Sequence, residues 1–182
     1  CKLILKQKNP MAVVGKDRGY SLLFPMEKVF EQCLGYKLQE FLRNNYSLYT
    51  QYNEQYLLEK NNNSYCRLKP DFVVKKDEQN VLVLDAKWKR LDQNKKQFGL
   101  NEGDVYQMYA YSHMYLQSKD KVVLIYPKQE NFIQSIDGLK FMPSRDYGAE
   151  LWLIPYDLLN NKFCFSTNRE RELFSQFFEM PI

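Results

Sequence analysis

The spacing of apolar residues along the chain predicts where helices and strands lie. After Pro25, apolar residues recur at intervals of three and four, which predicts an amphipathic helix ending near Asn44 and Asn45. Pro25 suits a helix start because its fixed φ is already helical and its missing amide hydrogen would have no partner there. The apolar positions of this helix are Met26, Val29, Phe30, Cys33, Leu34, Leu38, Phe41 and Leu42.

The segment after this helix has the alternation of β-strands. Loosely alternating residues over 49–58 stop at the polar run 61–64, and β-prone residues resume over 65–74, which predicts a hairpin with a polar turn. After a second polar break, the run 81–84 is apolar without interruption. Such a run predicts a strand that is covered on both faces and central in its sheet.

The second half of the chain combines further helices and strands. Asp104 can cap a helix over about residues 104–117, because its carboxylate accepts backbone hydrogen bonds that a helix start leaves free. The runs 121–126 and 149–154 predict strands, and 169–178 has the spacing of a C-terminal helix.

Length and composition favour one folded domain. The 182 residues are 45% hydrophobic and 15% aromatic, which suits a packed core rather than a disordered chain. Residues 1–22, with Pro10 and turn-like glycines, are expected to form a connector, and residues 23–182 the domain itself.

Cysteine spacing and hydropathy indicate the cellular setting. Cys1, Cys33, Cys66 and Cys164 have neither zinc-ligand nor iron–sulfur spacing, so we expect free thiols in a reducing compartment. Apolar runs such as 81–84 are too short to span a bilayer, and no segment resembles a signal peptide. We therefore expect a cytoplasmic protein without membrane contact.

Charge alone does not identify a partner. The net charge of +4 is modest, although one segment is locally basic. A solvated face explains such a run about as often as a phosphate-binding surface does. The basic residues of this run are Lys87, Lys89, Arg90, Lys95 and Lys96.

Two acidic residues stand next to predicted strands, and a lysine follows the second. Asp71 lies at the start of the second hairpin strand, and Asp85 closes the buried run 81–84. If these strands pair, the two carboxylates meet and offer the hard oxygen ligands that Mg²⁺ prefers, as phosphodiester hydrolysis requires. Period-two alternation puts Lys87 on the same face as Asp85 and leaves the carbonyl of Ala86 available as a third ligand.

An acid at the end of an apolar strand is costly unless something compensates its charge. A metal ion or the neighbouring Lys87 would compensate Asp85. The simpler alternative is a partly exposed Asp85 that forms a salt bridge near the strand end.

Polar residues on the two central helices are further candidates. Glu31 borders the apolar stripe of the first helix and can point toward the metal, whereas Glu27 in the first turn is explained by the helix dipole alone. Gln107 and Tyr111 lie one turn apart, so they can hold the attacking water or a phosphate, or can simply belong to a helix edge and the core. The single histidine, His113, is expected to be structural, which disfavours histidine-based hydrolysis.

Three ordered blocks of these residues resemble a known family. Pro70-Asp71, Asp85-Ala86-Lys87 and Gln107-x-x-x-Tyr111 resemble the RecB-like branch of the PD-(D/E)XK nucleases. More narrowly, blocks 24–31, 84–89 and 104–111 resemble the McrC family, the nuclease subunits of McrBC-type modification-dependent restriction systems. The blocks read FPMEKVFE, LDAKWK and DVYQMYAY.

The resemblance implies a restriction-endonuclease-like α/β fold, with a central mixed β-sheet flanked by α-helices. It implies a DNA endonuclease that uses Mg²⁺, with Mn²⁺ expected to substitute. Lys87 would orient or polarise the attacking water, and Glu31 and Gln107 would complete the site. The metal ligands would be Asp71, Asp85, Glu31 and the carbonyl of Ala86.

The resemblance also implies partners. The substrate would be double-stranded DNA carrying 5-methylcytosine, contacted through Lys89, Arg90, Lys95, Lys96 and Tyr111. A separate McrB-like GTP-hydrolysing ring motor would drive cleavage, since this sequence contains no Gly-x-x-x-x-Gly-Lys-Ser/Thr loop. McrC proteins usually have a substantial N-terminal region, and only about 22 residues precede the first helix here. We expect either a nuclease-domain fragment or recruitment by another subunit.

Two other functions fit the same fold. One is a DNA-binding or scaffold module that does not cleave, against which the presence of Asp71, Asp85 and Lys87 argues. The other is a stand-alone RecB-like repair nuclease acting on ends or branched DNA, which the same residues would serve equally well.

Overall fold

A mixed β-sheet forms the centre of the fold, with helices on both of its faces. The computed structural model describes residues 24–117, 119–142 and 148–179, so the expected connector over 1–22 lies outside the described residues. In chain order the elements are α1 (Met26–Phe41), β1 (Ser47–Thr50), β2 (Tyr56–Lys60), β3 (Asn63–Arg67), β4 (Phe72–Lys76), β5 (Gln79–Ala86), a 3₁₀ turn (Lys96–Gly99), α2 (Glu102–Leu116), β6 (Lys121–Pro127), β7 (Ile136–Lys140), β8 (Glu150–Asp157), β9 (Lys162–Phe163) and α3 (Asn168–Ser175).

The strand order of the main sheet is β1-β4-β5-β6-β8-β7, with β9 also paired to β8. The pairs β5–β6 and β6–β8 are parallel, and the remaining pairs of this sheet are antiparallel. Strand β5 is internal, and Leu82, Val83 and Leu84 are all buried, as the uninterrupted apolar run predicts. The mixed α/β architecture with flanking helices is therefore confirmed.

Alternate residues of the central strands contribute to two separate cores. Leu82 and Leu84 pack with Phe30, Leu34 and Phe174 of α3 on one face. Val83 packs with Met108 and the tyrosines of α2 on the other face. By the same alternation Asp85 ends the α2-facing row of β5, so the polar end of this strand is directed toward α2.

Helix α1 fixes the beginning of β4. It buries Leu34 and Leu38, and Gly35 faces Phe72 so closely that an added Cβ would lie 3.1 Å from the ring. The helix ends at Phe41, before the predicted Asn44, because Leu42 adopts an extended backbone and forms a bridge with Phe178. This packing holds α1 next to residue 71.

The predicted hairpin over 49–74 is in fact two nested strand pairs. Strand β1 pairs with β4 in the main sheet, whereas β2 and β3 form a separate two-stranded sheet between them. The sequence pattern does not reveal this division, because residues 49–58 contain the end of the edge strand β1 and the start of the exposed strand β2 without a clear break. The polar turn is confirmed: Asn61 and Asn62 both have positive φ, which suits a two-residue hairpin loop.

The cap of α2 differs from the prediction. Asn101 caps the helix by accepting a hydrogen bond from the backbone N–H of Gly103 at 2.9 Å, and the helix begins at Glu102. Asp104 therefore lies inside the first turn, where its side chain is free for other contacts. No helix within the described ranges is long and apolar enough to cross a membrane.

The end of the chain follows the prediction with shifted boundaries. Strand β8 continues to Asp157, with residues 151–157 all buried, and α3 ends at Ser175. Thr167 and Glu170 form a capping box that starts this helix.

We expect Leu34→Ala to destabilise the protein by about 2–5 kcal/mol, since Leu34 is 0% exposed and its loss leaves a cavity against the sheet. Chemical denaturation measures this change. Gln39→Ala on the exposed side of the same helix is the control and should change stability by less than about 0.5 kcal/mol. Equal effects of the two substitutions would contradict the assigned orientation of α1.

Candidate active site

Pairing of β4 with β5 brings the two predicted aspartates together. Phe72 lies opposite Leu84 in this antiparallel register, so Asp71 and Asp85 are next to each other at one end of the sheet. Asp71 Oδ2 accepts a hydrogen bond from the backbone N–H of Ala86 at 2.8 Å. The two carboxylates thus lie together, as expected if these two strands pair.

Burial makes this carboxylate pair electrostatically unusual. Burial, together with the charge of Asp85, raises the pKa of Asp71 to about 7. Burial also raises the pKa of Asp85, although the charge of Lys87 opposes the change. Each carboxylate therefore lacks enough solvent or counter-charge to be ionised without cost.

Lys87 supplies the nearest positive charge. Its Nζ lies 2.5 Å from Asp85 Oδ2, a close ion contact in which this buried oxygen still lacks a well-aligned hydrogen bond. The same Nζ donates a hydrogen bond to Gln107 Oε1 at 2.9 Å. The backbone N–H of Lys87 donates to the carbonyl of Ile125 at 2.8 Å, which extends the β5–β6 pairing. Both the backbone and the side chain of Lys87 are held in place.

Gln107 and Tyr111 form a continuous chain with Lys87. Gln107 Nε2 donates to the hydroxyl of Tyr111 at 2.7 Å, which fixes the side-chain amide so that its oxygen faces Lys87. Tyr111 is only 1% exposed. Tyr111 therefore lies in the core of the domain, and a DNA contact through this residue stays a prediction that its burial does not support.

Glu31 reaches the site through an intermediate that the sequence did not reveal. The side-chain amide of Gln51 donates to Glu31 Oε1 and, at 3.2 Å, to Asp71 Oδ1. The backbone N–H of Gln51 also donates to the carbonyl of Asp71 at 2.8 Å. A lone glutamine after a short strand carries no recognisable pattern, so Gln51 was missed. Glu27 is exposed, as expected for a residue of the first helical turn.

Asp104 connects the site to the basic run. It is 7% exposed and accepts hydrogen bonds from Lys89 Nζ at 2.7 and 2.9 Å. Its Oδ1 also lies 4.0 Å from Lys87 Nζ. The charge of Lys89 is thus matched by Asp104, and the structure gives no support to its prediction as a DNA contact.

The rest of the basic run is open to solvent. Arg90, Lys95 and Lys96 are exposed. Across residues 24–117, 119–142 and 148–179, none of these three side chains forms an ion pair. They remain available for a phosphate backbone.

A buried tyrosine completes the wall of the site. Tyr126, on β6, is 1% exposed and its hydroxyl has no hydrogen-bond partner within the described part of the chain. Burial and the charges of Asp104 and Asp85 raise the pKa of Tyr126 well above its usual range. The hydroxyl therefore stays protonated and can donate a hydrogen bond into the acidic cluster.

The donor set fits Mg²⁺ with two protein carboxylates. Among the described residues, no three His, Cys, Asp or Glu side chains form a group that could hold a metal ion, so a role for Glu31 as a third ligand stays a prediction. The amide of Gln51 lies between Glu31 and Asp71 instead. Mg²⁺ commonly keeps several waters and takes one or two carboxylates. A divalent cation would stabilise this pair, since both carboxyls have raised pKa values and the buried Asp85 has an oxygen without a well-aligned hydrogen bond.

Comparisons with known proteins agree with the resemblance seen in the sequence. The family model described as "McrBC 5-methylcytosine restriction system component" matches residues 1–127. A solved structure of the Thermococcus gammatolerans McrB AAA+ hexamers with bound McrC, a half-complex from a tetradecameric assembly, has a similar fold with a TM-score of 0.55 at 20% identity. The match covers 84% of this chain and 33% of that one, so this chain spans about a third of its relative's length. A search of the curated proteins gives no significant match.

The raised pKa of Asp71 predicts a pH-dependent stability in metal-free protein. A carboxyl whose pKa rises on folding binds its proton more tightly in the folded state, so stability falls as pH increases from about 4 to about 7. Asp71→Asn should remove the part of this fall that comes from residue 71. Between about pH 4 and about pH 7, the free energy of unfolding of the variant should therefore rise by on the order of 2–4 kcal/mol relative to that of the parent.

Urea unfolding in EDTA at a series of pH values measures the difference. Glu27→Gln, which removes an exposed carboxylate, is the control and should follow the parent. If stability changed with pH in the same way in Asp71→Asn and in the parent, the pKa of Asp71 would not be raised by folding.

Proposed function

Because the chain belongs to the family of McrBC 5-methylcytosine restriction system components, we propose that it is the DNA-cleaving, McrC-like part of such a system. The observation that carries the proposal is the pairing of Asp71 with Asp85 at the end of the sheet, with Lys87 in contact with Asp85. This arrangement of two acids and a lysine supports a PD-(D/E)XK nuclease site. The fold shared with the McrB–McrC half-complex supports the same assignment.

Asp71, Asp85 and the carbonyl of Ala86 are proposed to hold Mg²⁺, for which Mn²⁺ should substitute. When bound, the ion supplies Lewis-acid chemistry, lowering the pKa of a water and offsetting charge on the phosphate. The residues around it prepare the site for this charge. The backbone N–H of Ala86 and the amide of Gln51 orient Asp71, and Glu31 holds that amide in turn.

Lys87 is proposed to orient the attacking water and to stabilise negative charge that develops on the phosphate. A cation that is held in place in a water-poor site stabilises the negative charge of the transition state more than a mobile cation does. Gln107 fixes the ammonium group from one side, and Tyr111 fixes Gln107. Tyr126 is proposed to donate its hydroxyl hydrogen within the acidic cluster of the same site, where it would help to offset negative charge.

Duplex DNA is proposed to run past the exposed side of this site. Arg90, Lys95 and Lys96 supply unpaired charge for its phosphates, whereas the charge of Lys89 is matched by Asp104. The motor is proposed to be a separate McrB-like GTPase, by analogy with the assembly in which McrB hexamers bind McrC.

A plasmid assay tests this function directly. We expect the chain, mixed with a McrB-type GTPase and Mg²⁺, to cut methylated closed-circular plasmid in the presence of GTP and to leave unmethylated plasmid intact. Asp85→Asn keeps the side-chain volume but removes a metal-binding charge, so it should abolish cleavage. Normal cleavage by Asp85→Asn would end the site assignment, and activity confined to linear ends would favour the repair nuclease.

Lys87→Ala should lower the cleavage rate by more than about 10²-fold at saturating Mg²⁺, because its charge acts mainly in the transition state. Single-turnover cleavage measures the rate, and thermal unfolding verifies that the variant is folded. Lys140→Ala, at an exposed lysine of the edge strand β7, serves as the control. An unchanged rate for Lys87→Ala would restrict Lys87 to a structural ion pair with Asp85.

A further inference from the structure

The β2–β3 hairpin stands apart from the rest of the domain. Its two strands pair only with each other, and every residue from Leu57 to Arg67 is exposed. Leu57, Leu58 and Tyr65 are exposed by 46%, 60% and 50%, which is unusual for side chains of this size. A ribbon that buries so little gains almost nothing from the core, so its composition reflects another constraint.

The base of this hairpin is nevertheless held in place close to the candidate site. The backbone N–H of Leu68 donates to the carbonyl of Gln55 at 2.8 Å, closing the ribbon. The hydroxyl of Tyr115, on α2, donates to the carbonyl of Leu68 at 3.2 Å. Only Lys69 and Pro70 separate Leu68 from Asp71. The hairpin therefore projects from the protein at a set position beside the carboxylate pair.

One face of the hairpin combines cations, aromatic rings and amides without an acid. Across the strands Tyr56 is opposite Arg67, Leu58 opposite Tyr65 and Lys60 opposite Asn63. The guanidinium of Arg67 lies 4.9 Å from the centre of the Tyr56 ring, and this cation–π contact holds the cation against the face of the ribbon. The acid of the hairpin, Glu59, pairs with Ser64 and points to the opposite face by strand alternation.

We propose that this face of the β2–β3 hairpin contacts duplex DNA beside the cleavage site, an inference that rests on the proposed nuclease function. A two-stranded ribbon fits the major groove, where asparagine amides can pair with base edges. Lys60 and Arg67 are placed for phosphates on either side, and the turn residues Asn61 and Asn62 lie at the tip. The ribbon would thus set the direction of the duplex that the carboxylate pair cleaves.

Charge and position favour DNA over a protein partner. The described face carries two cations and no acid, and it continues through Lys69 to the candidate site. Closeness to Asp71 is expected of a surface that contacts the substrate, whereas a surface that binds the motor has no need to lie so near the candidate site. Docking of the motor on the hairpin is therefore the alternative that the experiment separates.

The test is binding of a fluorescently labelled duplex to the 182-residue chain in Ca²⁺, which limits cleavage, across a salt series. Lys60→Gln with Arg67→Gln should weaken binding about tenfold or more and flatten the log–log salt slope by roughly 1–2 units, as expected for two lost phosphate contacts. Lys140→Gln with Lys162→Gln removes the same charge from β7 and β9 and should leave both quantities unchanged.

A second variant, Leu58→Ser with Tyr65→Ser, tests the apolar pair without changing charge. It should weaken binding while the salt slope stays that of the parent, and the domain should stay folded because both side chains are exposed. Parental affinity and slope for both hairpin variants would overturn the proposal. Loss of motor association with normal DNA binding would overturn it in favour of protein docking.

The outcome is separable from that of the nuclease assignment. A chain that binds duplex through the hairpin but never cleaves refutes the nuclease function and keeps the hairpin contact. A chain that cleaves methylated plasmid, and does so equally well with the hairpin variants, refutes the hairpin contact and keeps the nuclease function.

Discussion

The repulsion between two neighbouring carboxylates, one buried and one half-buried, is the constraint around which this domain is arranged. The antiparallel register of β4 and β5 puts Asp71 beside Asp85, and little water is left to screen the pair because Asp85 is only 2% exposed. Neither acid can move away, because the strands that hold them are internal to the sheet. The surrounding polar residues are therefore best understood by what each does to this pair.

Three elements supply that compensation from different directions. The end of β5 contributes the backbone N–H of Ala86 and the ammonium of Lys87, and the segment after β1 contributes the amide of Gln51. Helix α2 contributes Gln107, which holds Lys87. The compensation is incomplete, since both carboxyls keep a raised pKa, so the pair is left short of positive charge.

The sequence predicts this centre better than its surroundings, for physical reasons. Asp71, Asp85 and Lys87 could be located because an uninterrupted apolar strand and period-two alternation define where a polar residue must point. Gln51 could not, because its role depends on a positive-φ turn and on packing of α1 against β4. The choice between a polar-edge and a core position for Tyr111 could not be made, because helical spacing shows in which direction a ring points from the helix but not how deeply the neighbouring sheet buries it.

The nesting of β2 and β3 between β1 and β4 has an evolutionary consequence. Since β1 and β4 pair with each other directly, and Leu68 closes the ribbon at its base, the segment in between can change in length or composition without altering the alignment of the main sheet. Selection can therefore act on this segment separately from the carboxylate pair and its neighbours. Variation among related proteins is expected here first, much as loops vary on a fixed scaffold.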